Sequence, residues 1–170
     1  MGEHTKRVNV LAGSHLPVLV TLLQATSGAV LELGCGYNST PLLFWFCNSK
    51  SRFLESYEND RDWIEKVGYP IYYTEDWRID SLITFWDIVF VDHRPARKRR
   101  SSALFFKDRA KFIVLHDSEL ADNPAYKYTP IYKEFKYVYE YRKTFPYTVI
   151  LSNFDDPSVY FSENDGIDIK

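Results

Sequence analysis

The stretch VLELGCGYNSTPLLFWF, Val30 to Phe46, begins as an apolar run and admits a lone glutamate at Glu32. It then turns through Gly-Cys-Gly and re-enters an apolar run by way of Ser39-Thr40-Pro41. A segment that only filled a core would not be interrupted by an acid and two glycines. Gly34 and Gly36 permit a sharp backbone turn after a strand and leave room for a ligand to press against it. Thr40 followed by Pro41 is a start signal, cap then first-turn proline, for a helix running through Phe46. That helix points its amino-terminal dipole at the turn, which favours a carboxylate or phosphate there. Glu32 repels a phosphate and attracts an ammonium. A ligand carrying both a carboxylate and an ammonium, an amino-acid moiety, therefore suits the turn better than a dinucleotide.

Outward from this stretch, apolar and β-branched runs recur at 29–34, 51–59, 70–76, 86–92, 111–117, 135–142 and 147–153. WDIVFVD and KFIVLHD are near-continuous Ile/Val/Phe runs, as in strands buried on both faces of a parallel sheet. The last two runs are rich in tyrosine, alternate in polarity and meet closely at Phe145-Pro146, so they read as an antiparallel pair at the sheet's edge. Helical segments fit between the strands. Ser14 is placed to cap a helix with Leu16, Leu19, Val20 and Leu23 on one face. Asp60 or Asp62 caps a short helix that ends at Gly68, 101–107 is helical, and 129–135 is a further helical segment. Strand alternating with helix gives an α/β fold with right-handed crossovers.

Roughly twenty residues beyond the glycine turn, SYEND supplies Glu58 at the end of the second strand, where an acid accepts both hydroxyls of a ribose. The third run ends in TED-W, where Asp76 can take an adenine amine and Trp77 can cover the ring. Amino acid, ribose and adenine together describe S-adenosylmethionine. VLELGCGYNST resembles the first motif, E/D-x-G-x-G, of class I S-adenosylmethionine-dependent methyltransferases, and among them the chain is most like small O-methyltransferases. The likeness extends over nearly the whole chain, through Glu58 and Asp76 to a fourth strand ending in Asp92. It implies the Rossmann-like class I methyltransferase fold: a single domain over residues 1–170, with helices on both faces of a seven-stranded, mostly parallel sheet of order 3-2-1-4-5-7-6, strand 7 being antiparallel. It also implies that Glu32, Gly34, Cys35, Gly36, Glu58, Asp76, Trp77 and Asp92 contact the cofactor. His15, on the segment that folds over the methionine end, joins them; Cys35 is a small filler rather than a nucleophile. Three relatives of the pattern do not match. A nicotinamide-binding unit wants a third glycine where Ser39 stands, no Gly-Lys-Ser/Thr follows for a Walker loop, and the extended glycine motif of polyamine synthases is missing.

In open α/β sheets the reactive ligand lies beyond the carboxyl ends of the strands. Two ends carry chemistry: VFVDHR, with Asp92 and His93, and VLHDSE, with His116 and Asp117. A hydroxyl acceptor must lose its proton as it takes a methyl group. His93 or His116 can serve as base, or a divalent metal can lower the hydroxyl's pKa. By the resemblance, Asp92 and Asp117 are placed to hold magnesium, but the usual third ligand position is Ser118. Amino-methylating enzymes carry Asn/Asp-Pro-Pro-Tyr/Phe after the fourth strand; VDHRPA is not that motif, which favours oxygen as the acceptor atom.

RPARKRR, Arg94 to Arg100, places five cations in seven residues. It is either a solvated face or, through Arg94 and Arg97, a dock for an anionic acceptor. Tyr126 opens a tyrosine-rich stretch that can wall a sugar. The net charge of −2 and a pI near 6.1 argue against nucleic acid as partner. At 170 residues there is no inserted lid, so the pocket is shallow and is covered by a large acceptor or by a second subunit, as in a homodimer. Two cysteines are too few for a disulfide framework. No apolar run is long enough to span a bilayer, and Ser14, His15 and Pro17 break the run that a signal peptide would need. Met1-Gly2 lacks the Ser or Thr of an acylation signal, Lys6 standing in its place. The expectation is a cytoplasmic enzyme that O-methylates a saccharide or other small hydroxyl compound. The alternatives are an RNA or protein methyltransferase, or a cofactor-binding subunit without catalysis.

Overall fold

Among residues 13–170, which the computed structural model describes, eight strands form one sheet in the order β3-β2-β1-β4-β5-β7-β6-β8. Met1, Gly2 and Lys6, on which the acylation reading turns, lie outside them, as do the first residues of the run starting at Val8. The strands are β1 (Val30–Leu33), β2 (Leu54–Glu58), β3 (Tyr72–Tyr73), β4 (Trp86–Val91), β5 (Ala110–His116), β6 (Tyr137–Tyr141), β7 (Thr148–Ser152) and β8 (Gly166–Asp168). β1 to β5 are mutually parallel, and β7 runs antiparallel to both β5 and β6. The expected order 3-2-1-4-5-7-6 with strand 7 reversed is therefore present. The eighth strand is an addition, pairing antiparallel with β6, so the β6–β7 hairpin does not form the edge. Three residues at 166–168 are too few to show a period, which is why the pattern did not announce it.

The helices are α1 (Leu16–Ala25), α2 (Ser39–Ser49), α3 (Arg61–Val67), α4 (Arg99–Phe106) and α5 (Thr129–Tyr132). α1 and α2 bury Val18, Leu19, Leu22, Leu23, Leu43 and Cys47 against Val30, Ile88, Phe90, Phe112 and Val114 on one face of the sheet. α4 and α5 bury Ala103, Phe106, Ile131 and Tyr132 against Leu31, Leu33, Val89, Val91, Ile113 and Leu115 on the other. Strand side chains alternate in direction, so even-numbered residues of β1, β4 and β5 near the strand ends face α1 and odd-numbered ones face α4. Burial of each such Leu, Ile or Phe contributes about 1.5–3 kcal/mol, and these two layers hold the sheet between its helices.

Three local expectations change. Ser14 does not cap α1: the residue at the cap position is His15, which makes no side-chain cap bond, and the buried face is 18/19/22/23. The Ser14 hydroxyl is instead 2.9 Å from His116 Nε2, a tertiary bond that no local pattern encodes. α2 starts at Ser39, so Thr40 lies inside the helix and is not its cap. At α3 the expectation holds, with the Asp60 carboxylate accepting from Trp63 N–H at 3.1 Å and Gly68 closing the helix at φ 73°. Among the described residues no helix is long and apolar enough to cross a membrane.

Candidate functional site

The pairing register aligns Tyr57, Leu33, Val91 and Leu115 across β2, β1, β4 and β5. One residue further along each strand stand Glu58, Gly34, Asp92 and His116, in a single row at the carboxyl edge. A cavity of about 1330 Å³ opens over this row, between the glycine turn, the start of α3 and the loops after β4 and β5. That exceeds the roughly 300–1,000 Å³ usual for one small ligand and gives room for two.

At the glycine turn, Cys35 and Gly36 line the cavity. Among the described residues a Cβ on Gly36 would meet nothing within 4 Å, so its bareness keeps the floor open. Gly34 serves another purpose. Its φ is +91°, and a Cβ there would lie 2.4 Å from the backbone of His93. The missing side chain makes room for the chain leaving β4, and not for a ligand as the sequence suggested.

Glu32 is fully buried and does not line the cavity. Its Oε1 accepts from the Thr40 hydroxyl at 3.0 Å, and the Thr40 oxygen in turn accepts from Gly36 N–H at 3.0 Å. Being even-numbered on β1, Glu32 points under α2, where it ties the turn to the helix instead of meeting a ligand's ammonium. Burial raises its pKa to about 7, partly offset by hydrogen bonds from Ser39 and Thr40. Burial also pushes the Cys35 thiol far up, aided by the nearby Glu32 charge, so it is inert as a nucleophile.

Glu58 lines the cavity and lies against the turn. Its Oε2 accepts from Cys35 N–H at 3.0 Å, and its Oε1 from the N–H groups of Asn59 (2.7 Å) and Asp60 (3.2 Å). These bonds fix the carboxylate in place and leave one lone pair, on Oε2, for a ligand hydroxyl. Around it stand Tyr37, Trp63 and Tyr73, with the Arg61 guanidinium 3.7 Å over the Tyr73 ring. Asp76 and Trp77, expected at this place, are not there. β3 stops at Tyr73, and beyond it the Asp76 carboxylate turns outward into a fork with Arg78, at 2.7 Å and 58% exposed. Trp77 is 3% exposed in the layer beneath α4, its ring stacked 4.0 Å from His93. The aromatic lining comes from α3 and the turn, whose Trp63 and Tyr37 read in sequence as ordinary helix and loop residues.

At the other end of the row the even-numbered side chains Asp92 and His116 emerge on the α1 side, and His93 on the opposite one. His93 is buried and away from the cavity, with Nε2 2.9 Å from Ser102 Oγ; burial and the neighbouring Arg99 lower its pKa to about 3. It is a packing residue and no base. His116 sits with Nδ1 3.4 Å from Asp92 Oδ2 and 3.5 Å from Asp117 Oδ1. Burial works against its charge, but the two carboxylates outweigh burial and raise its pKa. For Asp92 burial pulls upward, yet the hydrogen bond with His116 and the charge of Arg99 hold its carboxyl below the ordinary value. His15 lines the same floor, its ring 4.8 Å from Phe90 and 4.7 Å from His116. Burial, followed by the adjacent His116, lowers its pKa to about 4.

Arg99, which the sequence did not single out from its basic run, organises this end. It is 5% exposed, with Nη2 2.8 Å from Asp92 Oδ1 and Nη1 3.0 Å from Asp117 Oδ2. Burial opposes its charge, but Asp92 and Asp117 more than compensate and push its pKa higher still. A guanidinium spanning both carboxylates stands where a magnesium ion between them would have to sit. The Asp92/Asp117 pair therefore does not fit that ion. Arg99 shares the buried face of α4 with Ser102, Ala103 and Phe106, and that spacing was the overlooked signal. Of the acceptor candidates, Arg94 and Tyr126 line the cavity, while Arg97 is exposed outside it.

No family model matches the chain, and no curated protein is similar to it in sequence. Solved methyltransferase domains share its fold. The human methyltransferase 10 domain containing protein is 13% identical, covering 85% of this chain and 84% of that one, at a TM-score of 0.51. The delta-N METTL16 MTase domain is 12% identical over 91% and 88%, at 0.53, and the bacterial CtHen1-CN methyltransferase domain 10% identical over 84% and 99%, at 0.54. At such identities the likeness is one of fold: this chain has the fold of class I S-adenosylmethionine-dependent methyltransferase domains.

Proposed function

We propose that this protein transfers a methyl group from S-adenosylmethionine to a hydroxyl oxygen of a saccharide or other small acceptor. The observation that carries it is the row of strand ends under one cavity: a ribose-type acid, Glu58, at one end and an acid–imidazole pair, Asp92 and His116, at the other. The residues suit the cofactor. Glu58 is rigidly held with one lone pair left to accept a ribose hydroxyl, Trp63, Tyr73 and Tyr37 offer flat surface to the base, and the open floor at Gly36 admits a chain lying over the turn. When bound, the cofactor supplies an electrophilic methyl carbon on a positively charged sulfur.

The chain's own contribution is to hold the acceptor oxygen in line with that carbon and to take its proton. An acceptor oxygen taking that methyl group, with the carbon–sulfur bond breaking and S-adenosylhomocysteine leaving, would give its proton to the Asp92–His116 pair, whose imidazole the two carboxylates favour in its charged form. Arg99 keeps Asp92 ionised and fixed. Arg94 and Tyr126, on the cavity wall, are placed to bind the body of the acceptor.

Calorimetry with S-adenosylhomocysteine tests the cofactor half, and Glu58→Ala should weaken binding by about 10–100-fold, the worth of hydrogen bonds to a charged group. Wild-type protein without measurable affinity for that nucleoside ends the proposal. A labelled-methyl screen over glycans, catechols, peptides and RNA tests the acceptor. Label appearing in RNA alone would overturn the hydroxyl-compound assignment.

A further inference from the structure

Three side chains at the α1 side of the cavity make an arrangement that cofactor binding does not require. His15 is 3% exposed and lines the cavity, yet among the described residues neither ring nitrogen has a hydrogen-bond partner. Each unmet buried polar atom costs about 1–3 kcal/mol, so an imidazole left this way points to a ligand. His116 Nε2 lies 2.9 Å from the Ser14 hydroxyl oxygen. Nδ1 lies 3.4 Å from Asp92 Oδ2, and a cation that replaces the proton shared by that pair, with Nε2–H donated to Ser14, meets the Nδ1 lone pair and a lone pair of Oδ2 face to face. Two facing lone pairs at that separation have a place for a cation between them. The ligand atoms of His15, Asp92 and His116 all lie within 4.8 Å of one another.

We propose that His15, Asp92 and His116 bind one divalent transition-metal ion of the zinc type, with an open coordination position facing the cavity. Bonds of about 2.0–2.2 Å to nitrogen and carboxylate oxygen place neighbouring ligand atoms about 3.3–3.5 Å apart around a tetrahedral ion. The Nδ1–Oδ2 pair already has that spacing, and rotation of the His15 ring closes the rest. Two imidazoles and one carboxylate select a borderline ion over magnesium, which demands oxygen. The outer atoms are tied down as such sites require: Ser14 holds His116 Nε2, and Arg99 Nη2 holds Asp92 Oδ1 at 2.8 Å. This site differs from the Asp92/Asp117 pair, because it uses the carboxylate oxygen that Arg99 leaves free.

The ion's role rests on the methyl-transfer proposal, although its binding does not. Three protein ligands leave a position at which a hydroxyl acceptor can bind and become more acidic. The ion would then take over from the Asp92–His116 pair the task of making the oxygen nucleophilic, the proton leaving to water in the cavity.

The test uses the full chain stripped with a chelator and titrated with Co²⁺ and then Zn²⁺, followed by visible absorption, calorimetry and elemental analysis. One ion per chain is expected, with the intense visible bands of a four- or five-coordinate cobalt site and displacement by Zn²⁺. His15→Gln should weaken Co²⁺ binding by about 100-fold or more, about 2.8 kcal/mol. A measurement on the unmutated protein guards against a variant that fails to fold: the proton spectrum of the cobalt form should show paramagnetically shifted N–H signals from two imidazoles. No saturable binding, unchanged affinity in His15→Gln, or fewer than two shifted imidazoles would each overturn the site. S-adenosylhomocysteine titrated into the stripped protein separates the two proposals. Nucleoside binding without metal binding sinks only the ion, and metal binding without nucleoside binding sinks only the methyl transfer.

Discussion

Glu32 and Glu58 are both acids near the carboxyl ends of strands, and in sequence they look alike. Position along the strand separates them, because both are even-numbered on strands paired Glu32 to Ser56: Glu58 stands in the row at the carboxyl edge and faces the cavity, while Glu32 lies two residues deeper, sealed under α2 with Thr40. The consequence is measurable. With the folded pKa of Glu32 near 7 against an ordinary 4.5, the unfolded chain ionises first as pH rises. The protein therefore keeps the full benefit of a neutral Glu32 below about pH 4.5, loses it progressively, and has lost it above pH 7, by about 3 kcal/mol. Denaturant titrations of wild type and Glu32→Gln at about pH 5, 6, 7 and 8 should show the wild type losing stability relative to the variant, which keeps the acceptor for Thr40 but cannot ionise. Parallel curves would show that Glu32 titrates normally. The same logic separates the histidines. His93 and His116 both stand at the end of a buried strand, but period-2 alternation sends His93 to Trp77 and His116 to the cavity. That alternation was legible in WDIVFVDH and went unused.

At the scale of elements, the glycine turn was read correctly as a turn and incorrectly as a uniform one. Gly34 sits at φ +91° with β4's exit strand against it, and Gly36 faces open space. Gly34→Ala should lower stability by about 3 kcal/mol or more, because neither the left-handed backbone nor the neighbouring main chain can yield cheaply. Gly36→Ala should leave the melting curve nearly unchanged and show its effect in S-adenosylhomocysteine affinity. Equal loss of stability in both would contradict the division of labour assigned here. α4 carries a comparable lesson. RPARKRR looked like a charged surface, but one turn of helix places Arg99 on the buried face while Arg97 remains in solvent. Charge runs conceal such a member because periodicity is easier to see among apolar residues than among cations.

Across the whole molecule, the carboxyl edge of the sheet holds the site and the β6–β8 side holds only the fold. β8 reaches the sheet through main-chain bonds such as Ile169 N–H to Val138 O at 2.8 Å, remote from the cavity. A chain ending at residue 161 should melt lower by about 2–8 °C, as a loss of about 1–2 kcal/mol gives in a domain this size. It should bind S-adenosylhomocysteine as the full chain does. A truncated protein that folds yet loses nucleoside affinity would show that the two sides are coupled.

The resemblance to class I methyltransferases supplied the strand order; the residues by themselves determined the class of fold, the antiparallel pairing of the last two long runs and the position of the glycine turn. Those follow from hydrophobic period and from backbone punctuation, which are properties of neighbours along the chain. The tertiary structure decided which acid meets the cavity, that Tyr73 and Trp63 stand where Asp76 and Trp77 were expected, that Arg99 spans Asp92 and Asp117, and that Ser14 secures His116. Such contacts join residues far apart in sequence, and their geometry depends on side-chain direction and on where each strand stops. Neither is written in any local pattern, because both are settled by packing between elements.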